Sequence, residues 1–176
     1  SIVHNEVLWK ADNLLLAAGF WAMMIGMVWM HRSISTGAGA EWARLGFYGA
    51  ILGTALWTVE LAVVGLGLPA IIKDLDEAVG VDRAVTFSVA SSVYRTGIAL
   101  QNMSIVVYWI AIALMGLGMT LGPLYSTWWG RAAVILGTST ALVGVTLALT
   151  GQGLWIVFAI LSSLTIIWAL ALGISI

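Results

Sequence analysis

The chain has 176 residues, 61% of them hydrophobic and only 9% charged, with a formal net charge of −1 and a mean hydropathy of +1.05. A soluble domain carries roughly 25% charged residues, so this surface suits lipid rather than water, and the balanced charge offers no basic field for nucleic acid. The absence of cysteine excludes disulfides, thiolate metal sites and a cysteine nucleophile.

These values predict an all-α integral membrane bundle, one domain over 1–176, built from apolar helices of about 20 residues. The first span covers 11–30 and is closed by His31 and Arg32. Lys10, an apolar run and "STGAGA" imitate a signal peptide, but the run is longer than a usual h-region and two basic residues precede the small residues, so it is read as an uncleaved anchor. The second span covers 44–68 and is expected to stop at Pro69, which cannot continue the hydrogen-bond ladder. After the polar connection "KDLDEAVGVDR" comes the third span, 97–121, with an interfacial or tilted helical extension from 85 and a kink at Gly97. The fourth covers 129–150, and "GQG" leads straight into the fifth, 154–176, which predicts a tight antiparallel hairpin.

Short loops rich in Lys and Arg tend to remain cytoplasmic. Arg32, Arg44 and Arg131 fall in two short loops, while Lys10, Lys73, Arg83 and Arg95 fall at the other end. The two short loops favour N-terminus out and C-terminus in.

Without a hydrophobic drive between helices in lipid, small residues that let backbones approach carry much of the association. Gly49 with Gly53, Gly118 with Gly122, and the stripe Ala133, Gly137, Ala141 are the candidate packing positions. Of the ten tryptophans, Trp9, Trp42, Trp128 and Trp129 suit an interfacial belt, and Trp21, Trp57, Trp109, Trp155 and Trp168 lie deeper, where packing is their ordinary role.

Glu60 interrupts an otherwise apolar stretch, "ALWTVELAVVGLGLP". It stands eight residues before Leu68, or about 12 Å inside that span end. Arg95 enters from the same side, so a Glu60–Arg95 ion pair is expected, supplemented by Gln101 and Asn102. Two readings follow. The pair is structural glue between helices, or Glu60 is a proton or cation site.

Other chemistry is sparse. His4, Glu6 and Asp12 are candidate metal ligands without a diagnostic spacing. His31, Gln101 and Asn102 are candidates for holding a pigment or haem, although snorkelling at the interface also explains His31. His4 and His31 are separated by the whole first span and cannot ligate one haem within this chain. No Walker loop, dinucleotide fingerprint, HExxH or GxSxG is present.

A span ending in "LGLPAI", an acidic connection, a long helix carrying "YRTGIALQNMS" and a next span opening with "GRAAVILG" resemble bacterial families of small multi-span integral membrane proteins of unknown function. That resemblance implies a bacterial inner membrane and usually six spans, and it supplies no catalytic residue. The expected role is a non-catalytic accessory or structural subunit, in contact with lipid and with other membrane chains or copies of itself, and not with nucleic acid. The alternatives are a small transporter or channel using Glu60 and a pigment- or haem-binding antenna or electron-transfer subunit, with any cofactor unassigned.

Overall fold

The computed structural model describes residues 5–150 and 153–175, which are helical with no strands among them. In chain order they form α1 (Glu6–Ser33), α2 (Ala40–Glu60), a π-helical segment (Leu61–Gly67), α3 (Leu68–Glu77), α4 (Gly80–Leu121), α5 (Thr127–Thr150) and α6 (Trp155–Ser175). Five helices are long and apolar enough to cross a membrane: Glu6–Ser33, Ala40–Glu77, Gly80–Leu121, Thr127–Thr150 and Trp155–Ile174. Gly151 and Gln152 of the expected tight turn, and Ile176, lie outside the described residues.

The second helix does not stop at Pro69. It runs 38 residues from Ala40 to Glu77, about 57 Å at 1.5 Å per residue. Ahead of the proline the ladder has already widened, because Leu68 donates its N–H to Val63 O, five residues back. Pro69 then occupies the first turn of α3, where its missing N–H costs little. The next helix begins at Gly80 rather than 85 and continues through Gly97 without a break, for 42 residues. Gly80 has φ +59°, a left-handed backbone that glycine adopts without strain, and it reverses the chain between α3 and α4.

α4 is the central helix, flanked by α2 on one side and α5 on the other, with α1 laid on α2 and the π segment, and α6 on α5. On α2 the buried Ala43, Gly46, Ala50, Gly53, Trp57 and Glu60 recur at alternating spacings of three and four, the period of one helical stripe. Small residues there allow backbone contact. A Cβ at Gly46 would fall 2.8 Å from Ala111 O, and one at Gly53 would fall 2.9 Å from Tyr108 Cα. The α5 seam is built alike: Gly130, Ala133, Gly137 and Ala141 are buried, and a Cβ at Gly137 would fall 2.6 Å from Ala113 N. The predicted packing glycines and Ala133 have close neighbours, and Ala141 is buried. Gly49 faces Ala111, Gly118 faces Ala43, and Gly122 lies by Ile34.

The layers sit at different heights. α5 ends at Thr150, six residues past Gly144, which packs on Ile105, so the first half of α4 continues beyond α5. Asn13 meets Gly65, and Val64 meets Gly97, which sets Asp12 and Arg95 at one level. From Asp12 to Ser33 is 21 residues of α1, about 31 Å, close to the hydrocarbon thickness of a bilayer. Beyond that level α3 and the start of α4 project by the 15 residues from Arg95 to Gly80, about 22 Å.

Candidate functional site

Glu60 is the last residue of α2 and immediately precedes the π segment. It closes the small-residue stripe, so its side chain belongs to the face that packs on α4, and it is 6% exposed. The contacts Gly53–Tyr108 and Val64–Gly97 bracket it and put Gln101 opposite it in the antiparallel register. Asn102, the next residue, is buried on the neighbouring stripe of α4 with Ile105, Trp109 and Ile112. Glu60, Gln101 and Asn102 therefore form one polar layer.

The expected partner of Glu60 is elsewhere. Arg95 is exposed and lies six residues, about 9 Å along the axis, nearer the helix end than Gln101. Among the described residues the ion pairs are Lys10–Glu6 and Arg44–Glu41, and none joins Glu60 to Arg95. The expectation relied on the reach of the Arg95 side chain, but that residue is six positions from the layer along α4 and exposed, whereas Glu60 is buried on the seam.

The layer is short of donors. Glu60 Oε2, Asn102 Oδ1 and, further along, Tyr108 OH are buried without a hydrogen-bond partner among the described residues. Two of these atoms are acceptors. A buried carboxylate with no cation carries a large desolvation cost, whereas a bound proton or a monovalent cation cancels its charge and gives Glu60 Oε2 a partner. The π segment beside it is also a device found at functional positions in helices. Gly65 within it admits the Asn13 side chain, whose Cγ would lie 2.6 Å from an added Cβ. An aromatic group covers the next turn: Phe20 and Trp57 ring centroids are 3.8 Å apart, and Phe20 meets Tyr108 edge-on at 5.9 Å.

The remaining candidates are dispersed. His31 stacks on Phe47 with centroids 4.8 Å apart, and its Nδ1 is buried and unpartnered; Gln101 and Asn102 lie more than three turns, about 18 Å, from that level along α4, so the three do not share a ligand site. Glu6 is paired with Lys10, Asp12 is exposed, and His4 lies outside the described residues. No group of three His, Cys, Asp or Glu able to hold a metal occurs among the described residues. Of the deeper tryptophans, Trp57, Trp109 and Trp168 are buried, and Trp168 Nε1 donates to Trp129 O at 3.2 Å. Trp21 is exposed on α1, where its Nε1 donates to Thr58 Oγ1 at 3.2 Å.

Comparisons of the chain with protein-family models, curated proteins and solved structures find no match.

Proposed function

We propose that the protein is a non-catalytic integral membrane bundle in which Glu60 takes up and releases a proton or a monovalent cation, as the site of a small transporter or channel. The observation that carries this reading is a buried carboxylate on the α2–α4 seam with no ion-pair partner among the described residues and an unpartnered oxygen. Ionisable residues at such depth are functional candidates by default. The test is flux in liposomes. Wild type should dissipate a proton, sodium or potassium gradient, and Glu60→Gln should abolish the flux while keeping its melting temperature. Equal permeability of the two would refute the reading.

One observation favours a second reading, an accessory subunit packed against other membrane chains. The projecting start of α4 exposes Val81, Val85 and Val89, an i, i+4, i+8 stripe that would face water. Co-purification of further membrane chains in gentle detergent, lost on Val85→Asp, tests it. We further infer that α5 and α6 form the tight antiparallel hairpin, supported by the Trp168–Trp129 hydrogen bond between the end of one and the start of the other. A bacterial inner membrane and an N-terminus-out orientation complete the proposal, the latter resting on Arg32, Arg44 and Arg131.

A further inference from the structure

α1 and α6 pack on opposite flanks of the bundle and leave a cleft between them of about 630 Å³, floored by Tyr108 and Ile112 of α4. That size falls within the roughly 300–1,000 Å³ of small-molecule sites. The walls are almost wholly apolar, with Met23, Met27, Ile166 and Leu170 prominent. Water gains nothing in such a space, and in a bilayer the cleft opens onto acyl chains. Along α1 it runs from Ala22 to Ser33, eleven residues or about 16 Å, a length suited to one extended chain.

One end of the cleft is polar. Ser33 Oγ lies 2.6 Å from Tyr125 OH and 2.7 Å from Met30 O, and both residues line the cleft. If Ser33 gives up its bond to Met30 O and donates to Tyr125 instead, the Tyr125 hydroxyl is freed to donate outward. Arg32, the residue before Ser33 on α1, is exposed and in no ion pair among the described residues; it stands outside the cleft lining, at the depth of its polar end, from which a long side chain can extend to the mouth. A guanidinium and a hydroxyl at the span end match a phosphate at headgroup depth.

We propose that this cleft holds a membrane phospholipid with an anionic headgroup, one acyl chain between α1 and α6 and the phosphate against Arg32 and Tyr125. The site rests on the membrane reading above and is independent of Glu60. Two glycines make the test clean. Gly26 and Gly173 line the cleft, and a Cβ at either would meet nothing within 4 Å, so Gly26→Leu with Gly173→Leu starts each new side chain from open space and takes up cleft volume.

Wild type, the filled variant and Arg32→Gln are extracted in gentle detergent from membranes containing both zwitterionic and anionic phospholipids, washed, and weighed by native mass spectrometry. Wild type should retain one phospholipid, enriched in the anionic class. The filled variant should lose it by about tenfold in occupancy with an unchanged melting temperature, and Arg32→Gln should keep a lipid without the anionic preference. A detergent-extracted wild type carrying no phospholipid overturns the site, as does a filled variant with the wild-type complement, and an undiminished anionic preference in Arg32→Gln overturns the headgroup assignment. Recovery of wild type from the soluble fraction without detergent would instead overturn the membrane reading itself.

Discussion

Gly137→Ala adds one methyl group where α4 and α5 touch backbone to backbone. The new Cβ would lie 2.6 Å from Ala113 N and 2.7 Å from Trp109 O, atoms that no rotamer change can move aside. Replacing a helical glycine by alanine gains about 1 kcal/mol of helix propensity, which would mask part of the damage. Gly19→Ala removes that ambiguity, because Gly19 is exposed on α1 and its Cβ would meet nothing within 4 Å. The difference between the two variants isolates the overpacking, expected at about 1–3 kcal/mol. For a chain of this size that corresponds to a gap of roughly 2–12 °C between their melting temperatures, read in one detergent by the tryptophan signal or circular dichroism. Gly137→Leu and Gly118→Leu should fall further. Coincident melts for Gly137→Ala and Gly19→Ala would mean that α4 and α5 are not in close contact.

Gly49 differs from Gly137 in that its added Cβ would press on a side chain, Ala111 Cβ at 3.0 Å. Gly49→Ala should therefore destabilise only mildly, and Ala111→Gly in the same chain should recover the packing part of that loss; additive melts would count against the α2–α4 register. Glu60→Gln and Arg95→Gln should combine additively to within about 0.5 kcal/mol, since no ion pair joins the two residues; strong coupling in a double-mutant cycle would restore the pair. Tags inserted near Gly37 and near Tyr125 should report the same side of the membrane, and opposite sides would break the five-span topology.

Much of the fold was legible because bilayer thickness ties apolar length to helix number. The positions of Gly53, Gly118 and Gly137 were legible because close helix approach needs small residues. The same rule applied at three-four spacing would also have found Ala43 and Gly46, and would have carried the stripe through Trp57 to Glu60. What could not be read was height. The π turn after Glu60 lets the helix pass Pro69, and α4 starts at Gly80, so Leu68 stands about a turn before Gly97 rather than level with it. That register brings Gln101, and not Ile105, level with Glu60, while Arg95 misses the layer because it is six residues away and exposed. The α1–α6 cleft left no sequence signal, since its lining residues are ordinary lipid-facing types drawn from both ends of the chain.

Infrared difference spectroscopy of bilayer-reconstituted protein, wild type against Glu60→Gln, tests most directly whether Glu60 exchanges a proton or a cation. Wild type should show a carboxyl signal, absent from Glu60→Gln, that interconverts between protonated and ionised forms as pH or the sodium or potassium concentration is changed. A Glu60 signal that stays fixed throughout, while the protein remains folded, would contradict it and leave the carboxyl as a purely structural group.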